Sequence, residues 1–137
     1  AGKRHGLSSK ETLERTFVGC DEDLWQESFA KFLLDNPETD AIFARNDRLA
    51  ATASKIVTNI GRRIPEDIMI LGVDNSSISR LMTPSITTIE QQKEEMSKAA
   101  IELIEIMNQG TKNLVPEELC KVFETRMIER ESTKRKG

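Results

Sequence analysis

The strongest constraint on the fold is a helical segment that lies between two short apolar runs. Residues 41–44 and 68–73 are almost continuously apolar, which is typical of buried strands in a sheet that is covered on both faces. Between them, residues 47–61 carry apolar side chains at helical spacing, with Asp47 as the expected N-cap and Gly61 as the expected stop. Strand, helix and strand in this order predict a βαβ unit and therefore a parallel sheet.

The remaining segments extend this alternation of strands and helices. Further strands are predicted over residues 15–19, 86–90 and 120–130. Further helices are predicted over residues 23–35 and 93–109. The predicted fold class is α/β, with a parallel sheet that carries helices on both faces.

Composition excludes several classes of protein. The 137 residues contain 37% apolar and 31% charged residues, as in an ordinary globular domain. No apolar run approaches the roughly 20 residues that a bilayer span needs, and the first ten residues do not resemble a signal peptide. A net charge of −3 argues against a broad nucleic-acid surface on this segment. Cys20, Cys120 and the single His5 suggest neither a disulfide framework nor a metal site.

Polar side chains follow the two strands of the βαβ unit. Asn46 comes just after the first strand, and Asp74 follows the second. Ligands of open parallel sheets bind beyond the carboxyl ends of the strands, where these two side chains would meet. A carboxylate that only accepts and an amide that donates and accepts suit the hydroxyl groups of a sugar. The alternative is that both residues only form turns or cap a helix.

Three separated motifs resemble one family of regulators. They are TDAIFARNDRLAATASKIVTNIGRRIPEDIMILGVDN (39–75), TPSITTIEQ (83–91) and RMIERESTK (126–134). Their order and spacing are similar to those of the effector-binding domain of the LacI/GalR family of bacterial transcription repressors, from about residue 3 to the C-terminus. That domain shares its fold with periplasmic sugar-binding proteins.

The resemblance implies a partial domain. In the family, two lobes are joined by three crossover strands, and a sugar or another small metabolite binds between them. Residues 1–137 would form part of this type I periplasmic-binding-protein-like domain. Residues 3–85 and 119–137 would belong mainly to the C-terminal lobe, and residues 86–118 would form a crossover strand and a helix of the other lobe. We expect the apolar stripe of that helix to be covered by a partner: Met96, Ala99, Ala100, Leu103, Ile104 and Met107.

The resemblance also implies the residues of an effector site. Asn46 and Asp74 would line the cleft from the C-terminal lobe, and Gln91 would add a polar contact at the crossover. Trp25 would stack on the ligand, or it would belong to the apolar stripe of its own helix. Arg45 departs from the small residue that is common in the family before Asn-Asp. It would bind an anionic ligand through its fork of donors, or it would be a solvated charge at the strand end.

The expected function is therefore ligand sensing by a cytoplasmic repressor. The protein would be a homodimer that contacts operator DNA only through a DNA-binding domain absent from this chain, with no cofactor, metal or membrane. One alternative is a periplasmic sugar-binding transport receptor on the same fold. A second alternative is a sugar-processing enzyme that uses Asp47 and Asp74 as an acid and base pair. No phosphate-binding glycine loop, nucleophile elbow or histidine pair is present, so we predict that the protein is not an enzyme.

Overall fold

The computed structural model describes residues 22–108 and 120–134. Their secondary structure comprises α1 (Glu22–Asp35), β1 (Ala41–Phe43), α2 (Asp47–Asn59), β2 (Met69–Val73), α3 (Ser77–Leu81), β3 (Thr87–Glu90), α4 (Lys93–Asn108), β4 (Arg126–Ile128) and a 3-10 turn (Glu131–Thr133). The three helices predicted from periodicity are confirmed within two residues of their ends, whereas the short helix α3 was not predicted. The strand predicted over residues 15–19 lies outside the described residues.

The strands form one sheet in the order β1-β2-β3-β4. β1 pairs with β2 and β2 with β3 in parallel, while β4 runs antiparallel to β3. The prediction of an α/β fold is confirmed, although β4 makes the sheet mixed at one edge. β3 lies between β2 and β4, so the strand predicted over residues 86–90 belongs to the same sheet as the βαβ unit. The division of the chain between two lobes stays a prediction.

Helix α2 packs against β2, and the side chains buried between them form the main part of the core. Val57 of α2 and Ile70 of β2 are completely buried, as are Ile68 and Ile86 beside the strands. Burial of each such side chain stabilises the fold by roughly 1.5 to 3 kcal/mol. Gly72 allows the helix to approach the strand closely, because a Cβ at this position would collide with the Asp47 carboxylate.

Strand β1 is less buried than its sequence suggested. Ala41 and Phe43 are exposed, Phe43 to 65%, and only Ala44 just beyond the strand is buried. The prediction of a buried strand over residues 41–44 is therefore wrong. The reason is position, because β1 is the edge strand of the sheet and pairs only with β2 among the described elements.

The apolar stripe of α4 is mostly exposed. Ala99 is buried and Leu103 is half-buried, whereas Met96, Ile104 and Met107 are exposed. Within the described part of the chain, no element covers this stripe, and the expectation that a partner covers it stays a prediction. An exposed apolar face of this length is unusual for a soluble domain.

The chain divides into two compact units, residues 1–37 and 38–137. Helix α1 belongs to the first unit and ends near Asn36, whose side-chain amide donates to the Phe32 carbonyl at 2.7 Å. Leu33 is buried. The rings of Trp25 and Phe29 lie one turn apart with their centroids separated by 6.1 Å, as expected for an apolar helix face.

Candidate functional site

The parallel register brings two of the predicted site residues to the same edge of the sheet. Phe43 of β1 pairs with Leu71 of β2. Asn46 comes three residues after Phe43, and Asp74 comes three residues after Leu71. Both residues therefore lie beyond the carboxyl ends of adjacent parallel strands, where open α/β sheets bind ligands.

Asn46 is the N-cap of α2. Its Oδ1 accepts a hydrogen bond from the Leu49 amide at 2.9 Å, and its backbone is extended. Asn46 therefore caps α2, and such a cap is worth about 0.5 to 2 kcal/mol. Among residues 22–108 and 120–134, the Asn46 Nδ2 has no hydrogen-bond partner, so a ligand contact by this group stays a prediction.

Asp47 is not the N-cap, as the sequence had suggested, but the first residue of the helix. Its side chain is buried and accepts from the Ser76 amide at 2.7 Å and from the Ser76 hydroxyl at 2.9 Å through Oδ2. Its Oδ1 accepts from the Thr88 hydroxyl at 2.5 Å. The carboxylate therefore joins α2, the start of α3 and β3. Both of its oxygens are occupied by donors within the fold.

A strained turn follows β2. Asp74 and Asn75 both have positive φ, 107° and 47°, a region that residues other than glycine enter at a cost of about 1 to 3 kcal/mol each. The Asp74 amide donates to the Ile89 carbonyl at 2.8 Å. The Asn75 amide donates to the Thr88 hydroxyl at 3.2 Å. These bonds to β3 hold the turn in its unusual conformation.

A concavity of about 650 Å³ opens beside this turn. It is lined by Asp74, by residues 90–95 at the end of β3 and the start of α4, and by residues 124–126 before and at β4. The structure thus places Asp74 and Gln91 in one concavity, whereas Asn46 is not among its lining residues. The Lys93 ammonium lies 3.3 Å from Asp74 Oδ1, so the carboxylate is paired but only half-buried.

A second ion pair, between Glu90 and Arg126, also lines the concavity. Glu90 Oε2 accepts from the Arg126 guanidinium at 2.9 Å, and Oε1 accepts from the Asn75 side-chain amide at 2.6 Å. The hydrogen bond from Asn75, followed by that from Arg126, lowers the pKa of the Glu90 carboxyl below its ordinary value. Carboxylates, amides and cations of this kind can hydrogen-bond a ligand that carries several hydroxyl groups.

The C-terminal segment forms hydrogen bonds with the strands and the turn beside the concavity. Sequence analysis did not predict these contacts. The Ser132 hydroxyl donates to the Ile70 carbonyl at 2.6 Å and accepts from the Thr87 amide at 2.8 Å. Arg130 donates to the Asn75 side-chain oxygen at 2.6 Å. The sequence marked this segment through the strand predicted over residues 120–130, of which β4 covers Arg126–Ile128, and through its family resemblance, but neither signal identifies Arg130 as a support of the turn.

The two other predicted site residues are Arg45 and Trp25. Arg45 is exposed at the end of β1, in line with a solvated charge, and it does not line the concavity. Trp25 pairs with Phe29 on α1 in the first unit, which favours its place in an apolar stripe. Ligand contact by either residue stays a prediction.

The described part of the chain contains neither a candidate metal site nor a candidate membrane-spanning helix. No group of three or more potential metal-ligating side chains lies together in residues 22–108 and 120–134. No helix in those ranges has the length and apolar character to cross a membrane.

The comparison with known proteins finds a domain family and named relatives. The family model of the periplasmic binding protein-like domain matches residues 2–133. The HTH-type transcriptional repressor PurR of Aliivibrio salmonicida (strain LFI1238) is 37% identical over 78 residues, which cover 57% of this chain and 23% of the repressor. The chain therefore spans about a quarter of the length of this relative.

Solved structures agree with the fold and include sugar complexes. A LacI family transcriptional regulator from Arthrobacter sp. FB24 in complex with lactose is 34% identical, with a TM-score of 0.69 over 80% of this chain and 40% of the regulator. The complex of the transcriptional regulator CelR with cellobiose is 29% identical, with a TM-score of 0.77 over 96% of this chain and 39% of that protein.

Proposed function

The chain belongs to the periplasmic binding protein-like domain family, and from this premise we propose that it is part of the ligand-sensing domain of a LacI-type transcription regulator. The relatives named above are transcription regulators, not enzymes. Asp47, one member of the acid and base pair considered from the sequence, has both carboxylate oxygens hydrogen-bonded within the fold. This occupancy argues against the enzyme alternative.

The effector is a sugar, bound in the concavity beside the carboxyl ends of β2 and β3. The observation that carries this proposal is the meeting of Asp74 and Gln91 in one concavity beside the strand ends. An ionised Asp accepts hydrogen bonds from hydroxyl groups, and Gln91 both donates and accepts. The lactose and cellobiose complexes of related regulators support the same class of ligand. Asn46 does not line the concavity, but its Nδ2 has no hydrogen-bond partner among residues 22–108 and 120–134, and we propose it as a further contact from the adjacent strand end.

The remainder of the protein supplies the rest of the site. Residues from another lobe face Asp74 and Gln91 across the cleft, and α4 belongs to that lobe. A sugar that binds the closed arrangement of lobes more tightly than the open one shifts the population toward closure. In a cytoplasmic homodimer, this shift changes the affinity of attached DNA-binding domains for operator DNA.

The substitution Asp74→Asn in the full-length protein tests the site. Asn tolerates positive φ, so the variant keeps the backbone and the size of the side chain, while it removes the charge and replaces one acceptor oxygen by an amide donor. We expect sugar binding to weaken by about 1.5 to 3 kcal/mol, because a hydrogen bond to a charged group is lost. Calorimetric titration with lactose, cellobiose and common monosaccharides measures the change.

The matched control is Asp40→Asn, which alters an exposed aspartate away from the concavity and should leave affinity unchanged. Equal affinities of the wild type and Asp74→Asn would contradict the assigned site. Asn46→Ala separates capping from ligand contact, since loss of the cap lowers only thermal stability. A wild-type protein that binds none of the sugars would contradict the proposed effector class.

A further inference from the structure

Arg130 and Asn75 connect the C-terminal segment to the strained turn after β2. The Arg130 guanidinium donates to the Asn75 side-chain oxygen at 2.6 Å. The same Asn75 side chain donates to Glu90 Oε1 at 2.6 Å. Its amide group is therefore held at both ends, by a cation on one side and by a carboxylate of the concavity wall on the other.

Arg130 is itself fixed in place. Its Nη1 donates to the Ile86 carbonyl at 2.9 Å and to the Ser79 hydroxyl at 3.2 Å. Its backbone amide donates to the Thr87 hydroxyl at 2.8 Å. The guanidinium thus uses a planar fork of donors to bridge α3, the start of β3 and the turn. A lysine ammonium is a single point of charge and cannot reproduce this geometry.

The turn needs such support because its backbone is unfavourable. Asp74 and Asn75 are consecutive residues with positive φ, and such strain persists only where the surroundings hold it. Asp74 lines the concavity, whereas Asn75 and Arg130 do not. Their contacts therefore influence the site indirectly, through the conformation of the turn and, for Asn75, also through its hydrogen bond to Glu90, which lines the concavity.

We propose that Arg130 and Asn75 are positioning residues of the effector site, which hold the left-handed turn so that Asp74 presents its carboxylate to the concavity. This inference rests on the proposed effector site at Asp74. Neither residue touches the ligand in this arrangement. The C-terminal segment thereby acts as a structural part of the site.

The first test is Arg130→Lys in the 137-residue chain, with amide hydrogen exchange as the readout. Loss of a charge-assisted hydrogen bond should make the Asp74 amide, which donates to Ile89, exchange about tenfold faster or more. The matched control is Arg80→Lys, the same change at an exposed arginine of α3. Equal exchange at Asp74 in both variants and the wild type would overturn the proposal.

The second test compares Asn75→Gly with Asn75→Ala, which remove the same hydrogen bonds. The two variants differ in the cost of positive φ, which is small for glycine and large for alanine. If the left-handed turn is what matters, the Asp74 amide of the alanine variant should exchange about tenfold faster than that of the glycine variant. Equal exchange would mean that Asn75 has only a general structural role. This comparison remains decisive if Arg130→Lys unfolds the chain.

Binding to the full-length protein provides the functional readout. With lactose and cellobiose as probes, Arg130→Lys and Asn75→Ala should weaken binding about tenfold, and Asn75→Gly should weaken it less. If amide exchange changes as expected but sugar affinity does not, Arg130 and Asn75 hold the turn without positioning the effector site. This result would overturn the proposed positioning role. A wild-type protein that binds neither probe would count against the proposed sugar effector, and the exchange measurements would still decide whether Arg130 and Asn75 hold the turn.

Discussion

At Asp47, one buried carboxylate holds three elements together. It accepts from the backbone and hydroxyl of Ser76 and from the hydroxyl of Thr88. Gly72 leaves the space that this carboxylate occupies. The hydrogen bonds satisfy a charged group that burial would otherwise make costly. The role of Asp47 is thus to join α2 to the start of α3 and to β3, beside the candidate site.

The substitution Asp47→Asn should lower the free energy of unfolding by about 1.5 to 3 kcal/mol, because charge-assisted hydrogen bonds to a buried group are lost. Asp40→Asn, at an exposed position, should change it by less than about 0.5 kcal/mol. Urea denaturation of the two variants measures the difference. Similar midpoints would show that the Asp47 network contributes little to stability.

Glu90 should titrate below the ordinary glutamate range because Asn75, and then Arg126, stabilise its carboxylate. A lowered pKa means that the ionised form stabilises the fold above the ordinary value of about 4.3, and that this contribution is lost as the pH falls through the lowered pKa. In an NMR titration, Asn75→Gly should raise the pKa of Glu90 more than Arg126→Ala does. The reverse order would assign the main effect to the arginine.

Helices α2 and α4 have similar apolar patterns but different burial. α2 covers β2 with residues such as Val57, which is fully buried, whereas Ile104 of α4 is 57% exposed. Amphipathic periodicity predicts that a helix has an apolar face, but it does not identify the partner of that face.

Two isoleucine substitutions should separate a covered face from an uncovered one. Ile70→Ala removes a completely buried side chain from β2 and should cost about 2 to 5 kcal/mol of unfolding free energy. Ile104→Ala on α4 should change the stability of the 137-residue chain by less than about 0.5 kcal/mol. Thermal unfolding of both variants provides the comparison. A large loss for Ile104→Ala would mean that α4 is covered in solution.

The chain spans about two-fifths of each solved regulator named above, and the exposed face of α4 is consistent with the proposal that another lobe packs on it. In the full-length protein, Ile104→Ala should therefore cost about 2 kcal/mol or more, because its side chain would be buried there. Differential scanning calorimetry of the full-length variant tests this expectation. A cost as small as that in the 137-residue chain would contradict the assignment of α4 to a second lobe.

The 137-residue chain should also bind its effector poorly by itself. If the opposite lobe contributes several hydrogen bonds, their absence should weaken binding about 100-fold or more. Titration of the full-length protein and of the 137-residue chain with the same sugar compares the two affinities. Equal affinities would show that the site is complete within these residues.

Local sequence patterns predicted the helices and strands near the site. The comparisons with known proteins confirm the resemblance to LacI-type regulators. The apolar spacing of residues 47–61 predicted a helix, and the continuous apolar run at 68–73 predicted a strand. Both patterns are properties of neighbouring residues. The polar residues Asn46 and Asp74 were recognisable because they interrupt apolar runs at strand ends. Each of these signals lies within a few residues of the feature that it predicts.

Tertiary contacts determined the features that sequence analysis missed. Arg130 and Asn75 are 55 residues apart, and Asp47 reaches Thr88 across 41 residues, so no local pattern relates them. The exposure of β1 and α4 likewise depends on which elements lie beside them. Hydrogen bonds and burial between distant segments arise only when the chain folds, and for this reason the support of the site could not be predicted from sequence alone.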